Sequence, residues 1–140
     1  MSYLEPQGIV PDNNTFTPTI IGSTTAGVGT YTAQYGSYMK IGKLVVIQAY
    51  LVWTAHTGTG SGMRIAGLPF SSENTTNMYV PVTLYSTNIS ALTNNIIQGY
   101  MLSNTTQVTL QQYPAGGGAA SNLGMDTAGT LMVGFTYRAA

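Results

Sequence analysis

The chain has 140 residues, enough for one domain with a single core, and it has no cysteine, which excludes disulfides and thiolate metal sites. Only 6% of its residues are charged, against about 25% in an ordinary soluble protein, and four cations balance four anions. That balance speaks against nucleic acid, which needs a basic patch, and favours a polar Thr, Ser, Asn and Gly surface combined with permanent assembly.

No apolar run approaches the ~20 residues that span a bilayer, and no basic leader or apolar segment of a secretion signal opens the chain, so neither membrane nor export is expected. Residues 1–14 read as an extended arm. Pro6 and Pro11 push their neighbours toward extended geometry, and the apolar Tyr3, Leu4, Ile9 and Val10 keep neither helical nor strand period. Such an arm takes its order from a partner, which makes those four side chains the expected anchor.

From residue 15 onward the chain is strands and polar turns. A short strand over 16–21 contains Pro18, and residues 22–29 form a loop. Residues 30–40 return as a strand in which Tyr31, Ala33 and Tyr35 share a face and Gly36 marks a bulge. Lys40-Ile41-Gly42-Lys43 is a tight turn. The ten residues Leu44 to Trp53 then run without a breaker, a strand of about 33 Å. One of its faces, Val45, Ile47, Ala49, Leu51 and Trp53, is wholly apolar. The other, Leu44, Val46, Gln48, Tyr50 and Val52, is nearly so. An isolated antiparallel sandwich keeps one face wet, so this second face is covered either within the domain or by a neighbouring subunit. The low charge favours a subunit, with Leu44, Val46, Tyr50 and Val52 at the interface. A flexible Gly/Thr loop follows, then strands over 63–68, 79–86, 96–103, 107–113 and 130–138. Pro81 suggests an edge, and the last strand aligns Leu131, Val133, Phe135 and Tyr137 on one face. About eight antiparallel strands point to an all-β, jelly-roll-like sandwich over residues 15–140.

Few residues offer chemistry. The single histidine, His56, reads as an exposed loop residue and cannot form a two-histidine metal site. Glu73 and Asp126 could serve as a glycosidase pair only if the fold brings them together, and nothing around them suggests it. Gly36 to Lys43 has the wrong glycine spacing for a phosphate loop, and Leu44 stands where a magnesium-binding hydroxyl is required. Asn13, Asn74, Asn88 and Asn104 open N-x-S/T triplets that follow from an Asn- and Thr-rich surface. Ten tyrosines serve as strand fillers and interface anchors, or line a sugar site. No catalytic residue, metal or cofactor is expected.

Three stretches, F-T-P-T-I-I-G-S-T-T-A-G at 16–27, Y-M-K-I-G-K-L-V at 38–45 and M-R-I-A-G-L-P-F at 63–70, resemble a β module of bacteriophage virion proteins. That module recurs in tail fibres, often at their C-terminal end, and in small head-decoration proteins. The resemblance covers roughly Thr15 to Arg138 and implies trimeric assembly and no catalytic residues. The short arm departs from fibre members, which carry an attachment domain and shaft before the module. The leading expectation is therefore a homotrimeric capsid decoration or cement protein on the virion surface, held to the major capsid protein by its arms. The alternative is the receptor-binding tip of a tail fibre, with loops 54–62, 71–78 and 114–129 meeting host glycan. A small hydrolase is a third reading without a catalytic set.

Overall fold

The computed structural model describes residues 11–140. Ten strands form: β1 (Asp12–Phe16), β2 (Thr19–Gly22), β3 (Gly29–Ile41), β4 (Leu44–His56), β5 (Met63–Ala66), β6 (Val80–Thr87), β7 (Asn95–Met101), β8 (Val108–Pro114), β9 (Ser121–Asn122) and β10 (Gly129–Arg138). All pair antiparallel, in the order β1-β3-β4-β10-β6-β7-β8-β5-β2, with β9 on β8. The path is continuous because β6 is shared. Its residues 83–87 pair with β10, while 80–82 pair with β7. The sheet folds over at that strand into two leaves, a curled half-barrel with the core between them.

The all-β antiparallel expectation holds, with differences that have physical causes. The strand expected over 16–21 breaks at Pro18, which lies between β1 and β2. β1 opens at Asp12, so the sheet takes in residues 12–14 of the expected arm. Tyr3, Leu4, Ile9 and Val10 lie outside the described residues. Pro81 sits in an internal strand, but in the stretch of β6 that pairs with β7 alone, so no ladder to β10 needs its missing N–H.

Gly36 is not a bulge, since the register runs through Gly36 opposite Ala49 without a break. The irregularity lies between Thr30 and Ala33. It turns Tyr31 toward the inner side, opposite Trp53, and leaves Tyr35 on the outer side, opposite Tyr50. The expected common face of Tyr31, Ala33 and Tyr35 is thereby split. Gly36 serves close approach instead, because a Cβ there would fall 2.6 Å from the Phe16 ring.

The core follows the period of two read from β4 and β10. Val45, Ile47, Ala49, Leu51 and Trp53 are buried and stand opposite the equally buried Tyr137, Phe135, Val133, Leu131 and Gly129. Ile20, Met63, Ile65, Met101, Val108 and Leu110 meet them from the second leaf. Trp53, 1% exposed, packs on Gly129, where a Cβ would come 2.7 Å from its ring. Its indole N–H donates to the Asp126 carbonyl at 3.0 Å. The largest side chain of the core is thus fixed both by shape and by its polar atom.

Candidate functional site

The outer side of the first leaf is open. Leu44 is 50% exposed, Tyr50 40% and Val46 37%, while Val52 is half-buried. Among the described residues nothing covers this face, so the apolar second side of β4 is not explained within the domain.

The ladder register arranges the face in rungs across β3, β4, β10 and β6. Tyr35, Tyr50, Met132 and Tyr85 stand side by side in one rung, all exposed. The next rung is Ser37, Gln48, Gly134 and Thr83, small and polar. Beyond it come Met39, Val46 and Thr136, then Ile41, Leu44 and Arg138. On the other flank lie Ala33, Val52, Thr130 and Thr87. Between the tyrosine rung and Gly134 is a concavity of about 500 Å³. Arg138, at the far corner, is the only charged residue of these rungs, and Glu73 engages it at 3.0 Å. The sequence had marked only the β4 members. Tyr35, Tyr85 and Met132 join them through pairings that no single-strand pattern reveals.

The three loops expected to meet glycan do not share one end of the molecule. Residues 71–78 lie beside the end of β10, where the Glu73 N–H donates to the Arg138 carbonyl and the Glu73 carboxylate meets Arg138 and, at 3.6 Å, Lys43. Loop 57–62 lies beyond the other end of β4, and it is not a loose loop. Thr59 pairs with Thr25, and backbone bonds join Thr57 to Val28, Gly62 to Ser23 and Gly60 to Met125. Part of the 114–129 connection therefore reaches this end too.

The two carboxylates weighed as a pair are separated by the length of β10, roughly 30 Å. Glu73 lies at Arg138, whereas Asp126 lies just before Gly129, accepting from the Ser90 N–H at 2.7 Å and the Ala128 N–H at 3.4 Å. Among the described residues no three His, Asp or Glu side chains gather as a metal site requires. Asn88 and Asn104, two of the triplet asparagines, adopt positive φ (56° and 54°), a turn geometry that asparagine tolerates.

His56 differs most from its sequence reading, because it is buried. Nδ1 accepts from the Gly58 N–H at 2.8 Å, so Nε2 carries the hydrogen and donates to the Ile20 carbonyl at 2.7 Å. It belongs to a seam along the free edge of β2. The Tyr31 hydroxyl accepts from the Ile20 N–H at 2.8 Å, and Gln34 Nε2 donates to the Pro18 carbonyl at 2.8 Å. Side chains of β3 and β4 therefore satisfy the edge that a further strand would otherwise occupy. Burial raises the Tyr31 pKa above its usual value, with the Ile20 N–H acting in the opposite direction.

No protein-family model matches the chain, and no curated protein matches it in sequence. Among solved structures it is similar to the crystal structure of Dettilon tailspike protein (gp208), with a TM-score of 0.67 and 17% identity. The match covers 91% of this chain and 24% of the tailspike chain, so the chain spans about a quarter of that protein's length. At that identity, the likeness establishes a shared fold.

Proposed function

We propose that the chain is a structural module of a bacteriophage virion, a jelly-roll-like β module that assembles as a homotrimer and works without catalysis. The observation that carries this reading is the fold it shares, over nine-tenths of its length, with part of a tailspike. The virion-module resemblance of its turn and strand-end sequences agrees with it. Within the virion, the tailspike likeness favours the tail over the head. In that position the polar loops are available to meet host glycan.

The second reading is a capsid decoration or cement protein anchored by the segment that precedes β1. It rests on the resemblance to a module that also occurs in head-decoration proteins and on the composition of that segment: two prolines, a glycine and the apolar Tyr3, Leu4, Ile9 and Val10. Three arms on one trimer bind with an avidity far above that of one arm. A cryo-EM map of the virion tests both readings. Density for the chain at the tail is the expected outcome; density over the capsid surface would replace the tail reading with the cement reading, and absence from the particle would defeat both.

A further inference from the structure

Gly134 lies in the interior of β10, a strand paired on both sides. Glycine there weakens a strand, because it loses more backbone freedom on folding and packs no side chain. The other glycines within strands have neighbours that a Cβ would crowd, as at Gly36 under Phe16 and Gly129 under Trp53. Gly134 has none. Its backbone is not in the left-handed region, and a Cβ would meet nothing closer than the Ile47 carbonyl oxygen at 4.0 Å. The absent side chain leaves a notch on the outer face, walled by Tyr50, Met132 and Tyr85 on one side and flanked by Gln48 and Thr83 in its own rung.

We infer that the outer face of β3, β4, β10 and β6 is a self-association surface, and that the Gly134 notch at its centre receives a side chain from a second copy of this chain. The inference rests on the homotrimer reading above and adds which surface meets which. Three observations point to a second copy. The face is four strands wide from Gln48 to Val52 and three strands wide from Leu44 to Val46, roughly 500 Å² in plan before side-chain relief is counted. Around a three-fold axis each face is shared between two neighbours, so it is the subunit's total contribution that approaches the ~800 Å² on one side of a standard interface. Its rungs are uncharged apart from the engaged Arg138 at the corner, so copies of the same face meet without repulsion. It also supplies its own knobs, since Tyr35, Tyr50, Tyr85 and Met132 are exposed large side chains next to the hole they would fill.

The test is sedimentation and native mass spectrometry of the full chain and of Gly134→Glu. The substitution points into open space, so the fold should persist, with unchanged far-UV circular dichroism and cooperative unfolding, while a carboxylate occupies the centre of the face. The wild type should run at three times the 14.8 kDa chain mass. Gly134→Glu should raise the association midpoint more than about tenfold, because the buried charge would have no partner. Met132→Lys, one rung away with its side chain already in solvent, should do the same if Gly134→Glu fails to fold.

A variant that folds and remains trimeric would overturn this surface while leaving the trimer intact. A monomeric wild type at micromolar concentration would overturn both. If that monomer binds isolated host-surface polysaccharide and Gly134→Glu abolishes the binding, the notch belongs to a saccharide and the second-copy assignment falls.

Discussion

Tyr137 shows how a residue can be placed by pattern and still hold an unpredicted contact. Its position on the inner face of β10 follows from the alternation of Leu131, Val133, Phe135 and Tyr137, and it is 3% exposed. Its hydroxyl donates to the Phe70 carbonyl at 2.7 Å, a partner 67 residues away that no local pattern reveals. Burial pushes its pKa up to about 12 from an ordinary 10. The fold thus favours the neutral phenol. The associated stability is fully present below the unfolded value near 10 and is lost as pH rises through the folded value near 12. Thermal unfolding should therefore be insensitive to this group up to about pH 10 and then decline. Tyr137→Phe should flatten that alkaline decline while lowering stability at neutral pH. A melting profile that falls equally steeply in the variant would assign the loss to other groups, Tyr31 first among them, since its pKa is also raised.

At the scale of elements, the strands readable in the sequence were those whose burial depends on their own alternation. β4 and β10 have inner faces that match their period of two, residue for residue. What was not readable depended on a distant partner. Gly36 looks like a bulge until Phe16 is placed over it, and His56 looks like a loop residue until Gly58 and Ile20 take its two nitrogens. Pro81 suggests an edge, and it occupies one only because β6 changes partners beside it. The outer-face rungs were half legible, through β4 alone. The seam along β2 makes a separate test possible. Tyr31→Phe removes the acceptor of the Ile20 N–H and should cost about 0.5–1.5 kcal/mol. Its more specific mark is faster hydrogen exchange at Ile20, with β4 and β10 still protected. Unchanged exchange at Ile20 would mean that the strand is held by its β5 ladder alone.

The whole molecule is two leaves joined at β6, and its two ends differ in kind: a hydrogen-bonded pair of Gly/Thr loops at one, and the Lys43, Glu73 and Arg138 cluster at the other. Because β1 begins at Asp12, a truncation that probes the arm has to stop before it. Removing residues 1–10 should leave thermal unfolding and oligomeric state unchanged. On the cement reading, it should abolish binding to heads. Retained decoration at normal occupancy would show that the arm is not the anchor, and a fall in melting temperature would show that residues 1–10 belong to the fold. The closing seam has a consequence for any structure that packs copies side by side. Exposed sheet edges invite foreign strands to add on, and crowding makes that addition progressively easier. Here a strand approaching β2 finds the polar groups of Pro18 and Ile20 already bonded to Gln34, Tyr31 and His56. At the opposite limit of the sheet, β1 is five residues long and begins Asp-Asn-Asn, short and polar. Among the described residues, growth by strand addition is thus blocked at one margin and discouraged at the other.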